Sequence, residues 1–293
     1  MRFPFVLLIC LACRVEEVEH IHVGEADAPT PQVTEASIGM DLALSPGGEA
    51  TPASNTFVLG VWNIHKRSDA VAQEQLRRLA EGTDVLAIQE ALHDTPLPGG
   101  FSGHHASSFR WTTLHAVNGV MTASREVPAD TRGFVSPARE MGFTTPKSAL
   151  ISRHVLRNGQ TLLLVNLHAM LTDVPATGFS DQLDELVQAC THHDGPLIFC
   201  GDFNTWSSDR NRRIRSRIQR LGLEQVQLPD DVGTCIEAEG PFAFFIGLDP
   251  KSELDHVFYR GMTVRDGRWV PELDASDHVP IRVVFELEPN AGD

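Results

Sequence analysis

Asp202 and Asn204 stand two residues apart in the stretch Pro196-Leu197-Ile198-Phe199-Cys200-Gly201-Asp202-Phe203-Asn204-Thr205-Trp206. In an extended chain, positions i and i+2 project to the same face, so a carboxylate and an amide can converge on one point. The carboxylate can hold a metal ion or orient a base, and the amide can donate to a phosphoryl oxygen as charge builds there. An isolated Asp-x-Asn is more ordinarily an Asx-turn capping the next helix. This one has company. Asn63 follows the apolar run 57–62, Glu90 follows 84–88 and His168 follows 161–167. Asp255 heads the run Asp255-His256-Val257-Phe258-Tyr259, and Asp277-His278 precede the last apolar run. Each alone reads as a solvated strand end or a lone histidine; six such positions at the ends of apolar runs read as one site.

The elements that must position them follow from periodicity and punctuation. The run 196–200, closed by Gly201, is a buried strand entering a tight turn. Strands are expected at 57–62, 84–88, 111–116, 119–123, 147–152, 161–167, 242–246, 254–259, 262–265 and 281–287, with a turn at Val117-Asn118-Gly119 and a hairpin across Asn158-Gly159. Helices are expected at 69–81, capped by Asp69 and stopped by Gly82, at 179–193, and at 208–221 with Ile214, Ile218 and Leu221 inward. Residues 94–108, rich in Gly, Pro, Ser and His, read as a loop, His104-His105 and His192-His193 as exposed positions, and 125–146 as mostly irregular. Strands that both alternate with helices and pair as hairpins imply mixed sheets.

Composition sets the bounds. The chain has 293 residues, a hydrophobic content of 42% and a net charge of −15. It can build a real core, and it is a poor general binder of duplex DNA unless a local basic patch compensates. Residues 1–13 carry one arginine, a short apolar run and Ala12-Cys13, which reads as an export signal with a lipobox-like end, Cys10 standing where leucine is preferred. The expectation is an exported protein, tethered to a membrane through a lipidated Cys13 or released into the periplasm or medium. Residues 14–54, acidic and without apolar period, read as a flexible linker, and 55–290 as one catalytic domain. Beyond the signal, Cys190, Cys200 and Cys235 leave an odd number, with Cys200 expected as a core residue.

Trp62-Asn63-Ile64, Leu86-Ala87-Ile88-Gln89-Glu90, Val165-Asn166-Leu167-His168, Gly201-Asp202-Phe203-Asn204, Leu254-Asp255-His256-Val257-Phe258 and Ser276-Asp277-His278-Val279-Pro280, in this order, resemble the endonuclease/exonuclease/phosphatase superfamily over about 57–286, and within it a little-characterised bacterial branch. The resemblance implies an α+β, four-layer α/β/β/α sandwich of two mixed sheets, DNase I-like, acting on a phosphodiester by in-line attack of water. It implies Mg²⁺, replaceable by Mn²⁺, held by Glu90 with Asn63 and Asp277 beside it. It also implies His278 as general base, oriented by Asp255 or Asp277. Asp202 would align the water, Asn204 would donate to the phosphoryl oxygen, and His168 would contact the phosphate and assist the leaving oxygen.

The superfamily's substrates differ by loops, so the fold does not choose among them. Abasic-site enzymes of this fold carry Lys shortly after the metal Glu, where Ala91-Leu92-His93 stand. A sphingomyelinase would carry an exposed aromatic hairpin; Phe242-Ala243-Phe244-Phe245 reads instead as a core strand. Arg210, Arg212, Arg213, Arg215, Arg217 and Arg220 are the solvated face of a helix, but Arg210 and Arg212 come early enough to reach substrate, and Lys147 is a further phosphate contact. The expectation is a monomer acting on a phosphodiester, nucleic acid favoured over a phospholipid head group, with a non-catalytic binding module as the third possibility.

Overall fold

The computed structural model of the chain describes residues 15–17, 56–111, 116–142, 144–172, 178–229 and 253–287. The expected export signal, most of the expected linker, the middle of the strand expected at 111–116, Cys235, the strand expected at 242–246 and residues 288–293 lie outside the described residues.

Two sheets face each other. The first runs β1 (Val15–Glu17), β4 (Ser102–Trp111), β5 (Ala116–Ser124), β3 (Val85–Leu92), β2 (Thr56–Asn63), β13 (Ile281–Leu287) and β12 (Met262–Trp269). The second runs β10 (Glu224–Gln225), β11 (Asp255–Arg260), β9 (Leu197–Asp202), β8 (Thr161–His168), β7 (Ser148–Val155) and β6 (Asp130–Val135). Each sheet has one parallel pair inside it, β2 with β3 and β8 with β9, and is otherwise antiparallel. The parallel registers end with Asn63 opposite Gln89 and His168 opposite Asp202. Both pairs therefore deliver polar side chains at their carboxyl ends.

Alternating side chains put one face of each sheet into a shared core. Phe57, Leu59 and Val61 of β2 and Val283 and Phe285 of β13 meet Leu162, Leu164, Ile198, Cys200 and Val257 of the opposite sheet. The outer faces are covered by helices. α1 (Ala70–Leu79), capped by Asp69, which accepts from the Val71 and Ala72 amides, buries Ala72, Leu76 and Leu79 against Leu86, Ile88 and Met121. α2 (Gly178–Cys190) and α3 (Ser208–Ile218), the latter capped by Ser207, pack Leu183, Leu186, Val187, Ile214 and Ile218 against Val165, Leu167 and Phe199. The result is the expected α/β/β/α sandwich.

Four local expectations are corrected. The turn expected at Val117-Asn118-Gly119 lies inside β5, and Gly119 is needed there because a Cβ would stand 2.1 Å from Ala106 O. The loop expected at 94–108 is largely β4, with His105 buried, because pairing with β5 overrides a weak strand composition. β6 crosses the span read as irregular. Residues 15–17, inside the expected linker, pair with 109–111. Cys190 and Cys200 are both buried and free.

Candidate active site

Strand ends and one bulge build the site. β3 does not stop at Glu90: its register slips between Ile88 and Ala91, and Glu90 takes φ 52, which turns its carboxylate out of the pleat. Asn63 ends β2, and the loop after it holds His65 and Lys66 at φ 48 and 59, a rare conformation for non-glycine residues. Gly201 has φ 128 and no room for a Cβ, which would stand 2.1 Å from Leu167 O; this close approach brings Asp202 beside His168. The stretch before β13 is anchored across the sheet. Trp62 Nε1 donates to His278 O at 2.9 Å, and Ser276 Oγ donates to Asn63 O at 2.6 Å.

The sequence-predicted residues converge. His278 Nδ1 lies 2.7 Å from Asp255 Oδ2, and His278 Nε2 faces Asp202 Oδ2 at 4.0 Å. Asn63 Nδ2 donates to the same Asp202 oxygen at 3.0 Å, and the Asn204 backbone N–H donates to Asp202 Oδ1 at 2.9 Å. His168 Nε2 is 3.5 Å from Asp202 and 3.9 Å from Glu90. Asp255 therefore orients the His278 ring. Asp277, the other carboxylate considered for that role, turns outward to His65 Nδ1 at 2.9 Å and to Ser276.

Lys147 also belongs to the site: its Nζ is 2.9 Å from His168 Nε2 and 4.0 Å from Glu140. An ammonium only donates, so His168 accepts through Nε2. Of the two arginines taken as substrate contacts, the structure corrects Arg210. Arg210 is buried beneath the site and donates to the carbonyls of Asn204 and Met170. Arg212 points to solvent, 74% exposed, and pairs with Asp209, three residues earlier on its own helix.

Sequence reasoning missed His65, Lys66, Glu140, Gln89 and Asn166. Lys66 Nζ pairs with Glu90. Glu140 caps the Leu171 and Thr172 amides at 2.7 and 2.6 Å, fixing the loop after β8. Gln89 Nε2 donates to Asn166 Oδ1 at 2.7 Å and Asn166 Nδ2 to Met121 O at 2.9 Å, a polar bridge between the sheets behind the site. A signal for the last two was present: each is an amide inside an otherwise apolar strand run.

Electrostatics follow from this packing. Burial alone would lower His278, but the Asp255, Asp202 and Asp277 carboxylates outweigh it and push the imidazole up to about 10. Burial raises Asp202, with His278 opposing. Burial, then Lys147, holds His168 well below the usual imidazole range, so it is neutral. Burial would raise Glu90, yet Lys66, Lys147 and His168 hold it far below the usual carboxylate range. His65 is raised, chiefly by its hydrogen bond to Asp277.

The donor set fits a divalent cation. Glu90, Asn63 and Asp277 offer the hard oxygen ligands such an ion takes. Asp202, Asp255 and His278 offer one ligand atom each within 4.8 Å of one another. Among the described residues, Asp255 Oδ1 is buried with no hydrogen-bond partner, so the cluster has acceptor capacity its own side chains do not meet.

This architecture, two mixed sheets with carboxylates, amides and histidines at one end, defines a hydrolase class, and the comparisons agree. The Endonuclease/Exonuclease/phosphatase family model matches residues 60–278, and the chain belongs to that family. The family spans nucleases, phosphatases and phosphodiesterases, hydrolases of phosphoester bonds that generally use divalent metals. A UPF0294 protein of Vibrio vulnificus is 34% identical over 232 residues, covering 78% of this chain and 76% of its own. Among solved structures, an endonuclease/exonuclease/phosphatase family protein from Leptotrichia buccalis superposes with a TM-score of 0.60 at 17% identity, covering 79% of this chain and 100% of its own. The human Nocturnin catalytic domain with bound sulfate anion gives 0.55 at 18%, covering 81% and 97%.

Proposed function

We propose that this protein is a Mg²⁺-dependent phosphodiesterase, with nucleic acid as its substrate and internal cleavage as its mode. The observation that carries the chemistry is the buried Asp255–His278–Asp202 line beside Asn204, His168 and Lys147. Asp255 holds the His278 proton on Nδ1 and leaves Nε2, facing Asp202, to take a proton from water. Asp202 orients that water. Asn204 Nδ2 spends one hydrogen on Ala169 O at 2.8 Å, and the second is the donor for a phosphoryl oxygen. Because His168 Nε2 accepts from Lys147, the direct phosphate contact and the proton for the leaving oxygen pass to Lys147, with His168 holding it in place. Mg²⁺, for which Mn²⁺ can substitute, would be held by Glu90 with Asn63 and Asp277, and supplies a Lewis acid whose charge also offsets the carboxylates that raise His278.

The choice of nucleic acid over phospholipid carries forward the expectation from the sequence. Among the described residues, the exposed large hydrophobics are the scattered Val71, Val127, Met141 and Val155, and Phe242-Ala243-Phe244-Phe245 lies outside those residues. The test is a panel of plasmid DNA, phospholipid vesicles and bis(4-nitrophenyl) phosphate, each with Mg²⁺ and with chelator. Nicking of DNA that stops with chelator is the expected result. Head-group release without DNA cleavage would overturn the substrate, and no turnover of any of the three would leave a binding module. We also propose export and lipidation at Cys13, checked by radiolabelled palmitate incorporation that Cys13→Ser abolishes, and a monomeric state, checked by light scattering.

A further inference from the structure

Arg210 stands apart from the arginines around it. Arg212 and Arg213 pair with Asp209, Arg217 and Arg220 with Asp184, and Arg215 donates to Gln225. Arg210 is 6% exposed and runs inward. Its Nε donates to Asn204 O at 2.7 Å, its Nη2 donates to Met170 O, and its guanidinium lies over the Phe179 ring, 3.8 Å from the centroid. A buried cation is costly to desolvate, and here its donors go to carbonyls of two loops. Those loops begin immediately after His168 and Asp202.

The same loops are tied to each other. Asn204 Nδ2 donates to Ala169 O, Ala169 N to Asp202 O at 2.8 Å, and Trp206 Nε1 to Leu171 O at 2.9 Å. Gln182, from α2, donates to His168 O and accepts from Met170 N, both at 3.1 Å. Asn204 has φ 50, a left-handed conformation that asparagine adopts more readily than most residues, and these ties hold it there. Two helices on the outer layer thus reach under one sheet and set the backbone from which the site's amide and imidazole project.

We propose that Arg210, seconded by Gln182, is a positioning residue that acts through Asn204 and His168 on turnover and not on substrate affinity. This rests on the phosphodiesterase reading for its kinetic test and on geometry alone for its spectroscopic one. Arg210→Lys keeps a cation but loses the forked donation. With bis(4-nitrophenyl) phosphate, kcat should fall about ten- to a hundredfold while KM stays within about twofold, the size expected when a reacting group is misplaced. In amide-detected NMR spectra the Asn204 side-chain resonances should move, and they should do so whether or not any phosphodiester is cut. Gln182→Met, which removes both of its ties to the loop after β8 but leaves Arg210 in place, should shift the His168 ring resonances and lower kcat less; it carries the test if Arg210→Lys fails to fold. An Arg210→Lys protein with a lower melting temperature but unchanged kcat per folded molecule and unmoved Asn204 resonances would overturn the proposal, as would a Gln182→Met protein with unmoved His168 resonances.

Discussion

The floor and the rim of the site hold their side chains in opposite ways. The floor, made of His168, Asp202, Asn204, Asp255 and His278, is buried, and its members bond to one another or to the loops beneath. The rim, made of His65, Lys66, Glu90 and Asp277, is open to solvent in varying degree, stands partly on backbone at positive φ, and answers each carboxylate with a basic side chain from one loop. Dipoles fixed before the reaction cost no reorganisation during it. The floor thus suits proton transfer and phosphoryl stabilisation, and the rim, with exchangeable partners, suits capture of an ion.

If that division is right, the largest losses come from the floor. Asp202→Ala and His278→Ala should each lower kcat on bis(4-nitrophenyl) phosphate about a thousandfold or more, with no recovery at high Mg²⁺ or Mn²⁺. Full activity in either variant breaks the comparison. Glu90→Gln should act differently: the metal concentration for half-maximal rate should rise about ten- to a hundredfold, with much of kcat regained at millimolar Mn²⁺. Lys66→Met should shift the same titration the other way, by a few-fold, since Lys66 and a bound ion compete for one carboxylate; Mn²⁺ binding followed by electron paramagnetic resonance reads this without turnover.

The floor was largely legible in the sequence because its residues end apolar runs, and a strand end fixes both the position and the direction of the next side chain. Asp202, Asn204, His168 and Asp255 follow from that rule, and the sandwich follows from strands that alternate with helices and also form hairpins. The rim was less legible. His65 and Lys66 act through positive φ values that nothing in Ile64-His65-Lys66-Arg67 announces, since neither residue is glycine, asparagine or aspartate. Glu90 was found, but the bulge that aims it was not, because a slipped register depends on the partner strand. Arg210 was misread for a related reason: its helix is amphipathic at the expected period, yet the loops decide that this one arginine turns inward. β4 was missed because His, Ser and Gly make a poor strand until β5 pairs with it.

The pH dependence of metal-free stability should separate His278 of the floor from Glu90 of the rim by sign. His278 is raised in the folded state, so its contribution is complete below the ordinary imidazole value of 6.5 and is lost as pH rises toward about 10. Glu90 is depressed, so its contribution is present above the ordinary value of 4.5 and is lost as pH falls below it. His168 runs against its neighbours on the floor: kept neutral by burial and by Lys147, it costs stability once pH drops below 6.5. Urea titrations of the wild type and of His278→Gln in chelator should show a stability gap that narrows from pH 6 to 10. For Glu90→Gln the gap should narrow below pH 4.5. A His278→Gln gap that widens with rising pH would contradict the assignment of Asp255 as its partner.

The smallest expected effect tests where the site ends. Arg212 lies two residues beyond Arg210 on the same helix, carries the same charge and faces the other way, paired with Asp209 within its own helix. Exposed pairs of this kind are worth about 0–1 kcal/mol. Arg212→Ala should therefore leave stability within about 0.5 kcal/mol of wild type and kcat/KM on plasmid DNA within about twofold. Its lost charge would show, if at all, as a shallower dependence of plasmid KM on salt. A tenfold fall in kcat/KM on DNA, with hydrolysis of bis(4-nitrophenyl) phosphate untouched, would extend the substrate path over α3. The exposed arginines would then belong to the rim, and burial would no longer separate the part of the molecule that does chemistry from the part that holds it in place.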